Sequence, residues 1–238
     1  AQGMDGIFIA TGVGVANYMG IPGEDLKGVY TASEYLAKYN LMSPEDLAEA
    51  LPSLRGKRVA VIGGGNTAID AVRTAIRLDA KQATIVYRRS EEEMPARAEE
   101  IKHAREEGTE FFNLHNPVEY LGDESGHVTA MRLERMELGA PDESGRRRPV
   151  ATGEIITVPV DEVIICIGYS ASTLVTKSMP ELEVNKWGNI VVDEGKKTSM
   201  PDVYAGGDIV RGAATVILAM GDGRRAATAM HQKLSGRI

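Results

Sequence analysis

Apolar residues fall in short blocks closed by glycine-rich turns, the pattern of strands buried on both faces rather than of half-exposed ones. Gly6 to Gly12 (GIFIATG) reads as a buried strand ending in a turn. Thr31-Ala32-Ser33-Glu34 has the spacing of a capping box, so a short helix follows it. Ser43-Pro44-Glu45-Asp46 reads as a second helix start, with a cap residue, a first-turn proline and acids at the positive end of the dipole. Pro52 to Gly56 is a linker pattern. From Lys57 the chain changes character: strand Arg58–Ile62, turn Gly63-Gly64-Gly65, a helix from Asn66 to about Leu78, and strand Ala83–Tyr87. Ile69, Val72, Ala75 and Ile76 share one face of that helix. This is a βαβ unit.

Beyond it, a charged helix is expected from Ala96 to Glu107, ended by Gly108, and a strand from Glu110 to Leu114. Val118–Leu121 and Val128–Glu137 read as antiparallel strands around the polar turn Gly122–Gly126. Asp142–Pro149, with Arg146, Arg147 and Arg148, reads as a solvated charged loop, and Ile155–Val158 as a third strand. Val163–Gly168 is another buried block containing Cys166, which reads as a core residue. Ile190–Val192 and Val203–Ala205 are short strand patterns. A last helix runs from Ala213 to about Leu234, its middle weakened by Gly221 and Gly223.

Composition narrows the chemistry. The 238 residues allow one large domain or two small ones. A net charge of −7 gives no basic field for nucleic acid, no apolar run is long enough to span a membrane, and Ala1 to Asp5 do not open a signal peptide, so a cytoplasmic protein is expected. A single cysteine excludes an internal disulfide, a Cys-rich metal centre and a Cys-x-x-Cys redox pair. The four histidines lack metal-ligand spacing, and no Gly-x-Ser-x-Gly elbow is present. No metal ligand and no catalytic side chain is assigned; the chemistry has to come from an organic cofactor.

Gly63-x-Gly65-x-x-Ala68 follows a predicted strand and opens a predicted helix, the context in which this spacing carries information. The first glycine permits the turn, the second lets the backbone approach a pyrophosphate, and Ala68 permits close packing of helix on strand. Gly64 completes the turn, and N–H groups near Asn66 and Thr67 would meet phosphates at the positive end of the helix. The competing reading is a glycine-rich turn with no ligand. Where an NAD site carries an acid for the ribose hydroxyl, this strand ends Tyr87-Arg88-Arg89-Ser90. Arg88 and Arg89 suit the 2′-phosphate of NADP(H); the alternative is two surface arginines neutralised by Glu91, Glu92 and Glu93. Gly12-x-Gly14-x-x-Asn17 is rejected as a second fingerprint, because Tyr18 to Gly23 cannot continue a helix.

Ile9-Ala10-Thr11-Gly12, the run Gly63 to Asp70, Tyr87 to Ala96 (YRRSEEEMPA), Ile167-Gly168 and Val203 to Asp208 (VYAGGD) occur in that order. This set resembles the small (beta) subunit of NADPH-dependent glutamate synthase, with relatives in the flavin subunit of NADH-dependent ferredoxin–NADP oxidoreductase and the flavin segment of dihydropyrimidine dehydrogenase. The resemblance implies an α/β protein with a Rossmann-type NADP-binding domain inserted in an incomplete FAD-binding Rossmann-type domain: residues 1–52 and 171–238 as FAD-domain segments and 53–170 as the NADP domain. It implies that Thr11 and Gly12 lie near the flavin nucleotide, that Asp208 after Gly207 bonds the ribityl chain, that N–H groups around Ala213, Ala214 and Thr215 face the flavin, and that Ile167 and Gly168 border the cofactors. Hydride would pass from NADPH to FAD, and electrons on to iron–sulfur clusters or a large-subunit partner. The family's upstream FAD pyrophosphate motif and cluster-binding cysteines are not found in these residues. The expectation is a fragment with weak or no FAD binding; the rival reading is a non-catalytic NADP-binding or partner-binding module.

Overall fold

The computed structural model describes residues 3–42, 53–141 and 145–236. The helix start at Ser43 to Asp46 lies outside the described residues. In chain order the elements are β1 (Ile7–Ile9), β2 (Val15–Ala16), β3 (Val29–Thr31), α1 (Ala32–Leu41), β4 (Arg58–Ile62), α2 (Asn66–Arg77) and β5 (Gln82–Tyr87). They continue with a 3-10 turn (Glu91–Glu93), α3 (Ala98–Glu106), β6 (Glu110–Asn113), β7 (His115–Gly122), β8 (Val128–Pro141), β9 (Arg147–Pro159) and β10 (Glu162–Ile165). The last are β11 (Tyr169–Ser170), α4 (Thr173–Ser178), β12 (Val203–Ala205), α5 (Asp208–Arg211) and α6 (Val216–Leu234). The chain divides into two compact units, Tyr18–Ile167 and Ala1–Asn17 with Gly168–Ile238.

The larger unit is built on a five-stranded sheet in the order β3-β10-β4-β5-β6, all pairs parallel. Its strands are apolar on both faces because both faces are covered. Val59, Val61, Ile85 and Ile164 pack on one side with α1, α2 and α3. Their neighbours Ala60, Ile62, Val86 and Ile165 point the other way, onto Tyr120, Val128, Met131 and Leu133 of the antiparallel sheet β7-β8-β9. Ala68, Ile69, Ala71, Val72 and Ala75 of α2 are buried; the alanines let this helix lie close to the sheet. Thr31 caps α1, its hydroxyl accepting from the Glu34 N–H at 3.4 Å.

Two features differ from the sequence expectation here. β9 begins at Arg147, so the arginine run is not a free loop but the start of a 13-residue strand. Its residues are mostly exposed on both faces, which removes the alternation that would have marked a strand. Residues 18–42 belong to this unit rather than with residues 3–17, because β3 pairs in register with β10, Val29 opposite Val163.

In the smaller unit, β1 and β12 form a parallel pair, Ile7 opposite Val203, over a core of Ile9, Leu182, Ile190, Val203, Ala205 and Ile209. Only Ile9 of β1 is buried; Ile7 and Phe8 are exposed, because among the described residues β1 has a partner strand on one edge alone. Ile190–Val192 is not a strand, and Ile190 makes a single bridge to Val184. The expected last helix is α6, which starts at Val216 rather than Ala213 and runs unbroken through Gly221 and Gly223; the short α5, not expected from the sequence, precedes it across Gly212–Thr215. Between those glycines Asp222 is fully buried and anchors the helix. Among the described residues no helix is long and apolar enough to cross a membrane.

Candidate nucleotide-binding site

In open parallel α/β sheets, ligands bind beyond the carboxyl ends of the strands where the strand order reverses. Here that place lies between β4 and β10: the chain runs outward from β4 through β5 and β6, then returns to β10 on the other side of β4. The glycine turn occupies it. A Cβ on Gly63 would sit 2.3 Å from the Cys166 carbonyl oxygen, and Gly63 has φ +138°. A Cβ on Gly64 would sit 2.8 Å from the Tyr87 ring. A Cβ on Gly65 would meet nothing within 4 Å. The first two glycines are therefore demanded by packing, and the third leaves open space. Gly65 is also the N-cap of α2 and offers no side-chain oxygen to the helix N–H groups. The residues fit a pyrophosphate: an open backbone face at the positive end of a 12-residue helix. Thr67 is partly exposed, and Ala68 is fully buried on the sheet side.

The segment after β5 closes on this turn. The Ala96 N–H donates to the Gly64 carbonyl at 3.1 Å, and the Arg97 N–H donates to Asn66 Oδ1 at 2.9 Å. The Tyr87 hydroxyl donates to the Glu93 carbonyl at 2.9 Å while its ring covers Gly64. Asn66 thus spends its side chain on positioning the start of α3.

The two arginines part company. Arg89 is buried, and its Nε donates to the Arg147 carbonyl at 2.8 Å, tying β5 to β9. Arg88 is exposed. The three acids that could have quenched it are engaged elsewhere. Glu91 pairs with Arg105. Glu92 pairs with Arg147 Nη2 at 2.7 Å, and Glu93 with Arg147 Nε at 2.5 Å. Burial alone would raise the Glu93 carboxyl, but the Ser90 hydroxyl and the Arg147 guanidinium hold it below the usual carboxylate range. Arg147 is the residue that sequence reasoning passed over. Its signal was the complementarity of two distant runs, three arginines at 146–148 and three glutamates at 91–93.

The smaller unit carries a cleft of about 250 Å³ lined by Phe8, Ala10, Gly12, Gly207, Asp208 and Thr215 among others. Gly12 (φ +67°) has open space where a Cβ would be, and Thr11 before it is exposed. Asp208 is half-buried; its Oδ1 accepts from the Ala214 N–H at 3.2 Å. The Ala214 N–H is therefore committed to Asp208. Thr215 caps α6, its hydroxyl accepting from the Leu218 N–H at 3.4 Å. Behind the cleft, buried Asp222 accepts from Arg211 Nε and Nη2 at 2.6 and 2.7 Å and from the Gly207 N–H at 3.2 Å, and pairs with Lys196 at 3.0 Å. The Arg211 bonds hold its carboxyl far below the usual range. A Cβ on Gly206 would press on Asp222 Cβ at 2.9 Å, so the Gly-Gly-Asp turn and Asp222 fit as one piece. Sequence reasoning missed Asp222 because a carboxylate between two helical glycines looks like a solvent residue. The cleft's open Gly12 face and part-exposed Asp208 fit a flavin nucleotide, but it is smaller than the roughly 300–1,000 Å³ usual for a ligand pocket.

Gly168 (φ +94°) accepts from the Asn17 N–H at 3.1 Å and starts the second stretch of the smaller unit; exposed Ile167 ends the larger one. Residues 11–20 form no helix, as expected from the rejected second fingerprint. Cys166 is buried and its thiol is pushed up to about 12 by that burial, as suits a core residue. Trp187 is 69% exposed, with Lys186 Nζ 4.4 Å from its ring centroid.

Comparison with known proteins bears on the family and the fold. Residues 2–230 match the family model described as pyridine nucleotide-disulphide oxidoreductase. The chain is 43% identical over 234 residues to the NADP(+)-dependent formate dehydrogenase subunit beta of Moorella thermoacetica, covering 97% of this chain and 32% of that protein. It is 40% identical over 232 residues to the glutamate synthase [NADPH] small chain of Escherichia coli, covering 94% and 49%. It spans a third to a half of these relatives' lengths. The solved structure of Mycobacterium tuberculosis FprA in complex with NADPH superposes with a TM-score of 0.79 over 98% of this chain and 64% of that one, at 22% identity. Thioredoxin reductase of T. acidophilum gives 0.72 over 96% and 65%, at 24% identity. These two show the shared fold. By the family match over nearly its whole length, the chain belongs to the pyridine nucleotide-disulphide oxidoreductases.

Proposed function

We propose that this chain supplies the NADPH-binding half, and part of the flavin-binding half, of an oxidoreductase resembling the glutamate synthase small subunit. In this reading it takes reducing equivalents from NADPH and passes them by way of FAD to iron–sulfur clusters or a partner subunit. The cofactors, when bound, supply the redox chemistry of hydride transfer from nicotinamide to flavin. The chain's own residues bind and orient. Gly65, Asn66 and Thr67 receive the pyrophosphate at the start of α2, Arg88 receives the 2′-phosphate, and Thr11, Gly12, Gly207, Asp208, Ala214 and Thr215 border the flavin nucleotide. Arg89, Gly63, Gly64, Ala68, Ile167 and Gly168 shape these surfaces rather than offering free polar groups. The relatives named for NADPH or NADP(+) use support this reading.

The observation that carries the proposal is that exposed Arg88, at the end of β5, stands beside three acids that are all paired with other arginines. A charge-assisted bond from guanidinium to phosphate contributes about 1.5–3 kcal/mol. Arg88→Ala is therefore expected to weaken NADPH binding by about 10- to 150-fold with little change for NADH, read by calorimetry. Equal losses for both nucleotides, or none, would overturn the assignment.

A further inference from the structure

Resting on that reading, we infer that Arg147 is a specificity-determining residue for the 2′-phosphate, acting without touching it: it neutralises the acids that follow Arg88 in the chain. The loop between β5 and α3 carries Glu91, Glu92 and Glu93 directly after the arginine pair. Three carboxylates at that place would repel a dianionic phosphate and compete for Arg88. Arg105 takes Glu91. The remaining two are both held by one guanidinium, Arg147, through separate nitrogens, Nη2 to Glu92 at 2.7 Å and Nε to Glu93 at 2.5 Å. Nη2 also lies 3.4 Å from Ser90 Oγ, which itself donates to Glu93.

The same residue is pinned from its backbone. The Arg147 carbonyl accepts from Arg89 Nε at 2.8 Å, so the arginine next to Arg88 holds in place the residue that screens it. Glu93 is 7% exposed and shares its backbone carbonyl with the Tyr87 hydroxyl, whose ring lies on Gly64. One continuous set of contacts thus runs from the pyrophosphate turn, through Tyr87 and Glu93, to Arg147 at the start of β9. A planar fork with fixed donors on two sides satisfies both acids at once.

The test is calorimetric titration of the whole 238-residue chain with adenosine 2′,5′-bisphosphate and with AMP, probes that report the adenosine end without flavin chemistry. Arg147→Ala is expected to weaken the bisphosphate about fivefold, leave AMP within about twofold, and show the larger loss at low salt, as exposed charges screened over a Debye length of about 10 Å at 0.1 M require. Adding Glu92→Gln to Arg147→Ala is expected to recover part of the loss. Glu92→Gln alone changes a surface side chain that is 83% exposed, so the fold is not at issue, and it should leave the bisphosphate within about twofold, because Arg147 already holds that charge. Equal weakening of both probes, a salt-independent loss, or no recovery when Glu92→Gln is added to Arg147→Ala would overturn the role of Arg147. Arg88→Ala in the same titrations separates the two ideas: if it abolishes the preference for bisphosphate while Arg147→Ala leaves it intact, only the inference falls; if Arg88→Ala also leaves it intact, the reading beneath it falls.

Discussion

The three glycines of the turn look alike in the sequence and do different work. Gly63 (φ +138°) and Gly64 have no room for a side chain, whereas Gly65 faces open space. Gly63→Ala is expected to destabilise the protein by about 3 kcal/mol, combining a strained backbone with a steric clash, and thermal melting measures it. Gly65→Ala is expected to leave the melting temperature within about 1–2 °C of the parent, because its backbone is extended (φ −89°) and its surroundings are empty, yet to weaken NADPH binding by filling the pyrophosphate face. The fingerprint told where a nucleotide would sit; it could not tell which glycine served the fold, since that depends on Cys166 and Tyr87 arriving from other strands. The thiol of Cys166, with its pKa raised to about 12, should resist alkylation at pH 8 in the native protein and react once the chain is unfolded in denaturant.

At the scale of elements, local signals were legible and long-range ones were not. The cap at Thr31, the apolar block of β4, the face of α2 and the glycine after α3 each depend on residues a few positions apart. The part played by Arg147 depends on pairing across more than 50 residues, as does the start of β4, where Asp161 accepts from Arg58 Nε at 2.9 Å, Nη2 at 2.6 Å and the Arg58 N–H at 2.8 Å. Those bonds hold the Asp161 carboxyl down at about 2. A carboxylate whose folded value is depressed stabilises the fold fully above its unfolded value of about 4 and loses that contribution as the pH falls toward 2. The difference in melting temperature between the parent and Asp161→Asn should therefore be largest at neutral pH and shrink on acidification to pH 2–3. In the smaller unit, Asp222→Ala leaves Lys196 and Arg211 without their shared anion behind the Gly-Gly-Asp turn, and is expected to cost about 3 kcal/mol.

For the whole molecule, the insertion of one unit in another was expected from the resemblance, and strand–glycine endings at Gly12, Gly63 and Gly207 made the individual strands legible. The boundary near residue 52 was less so, since β3 is three residues long and joins its sheet only through β10. In the proposed function the end of β5 presents one exposed guanidinium, that of Arg88, to the adenosine of a nicotinamide coenzyme. Paired calorimetric titrations of the unmodified chain with NADPH and NADH probe this without any substitution. NADPH is expected to bind at least about tenfold tighter, with the gap narrowing as salt rises. Equal affinities for the two coenzymes would contradict it.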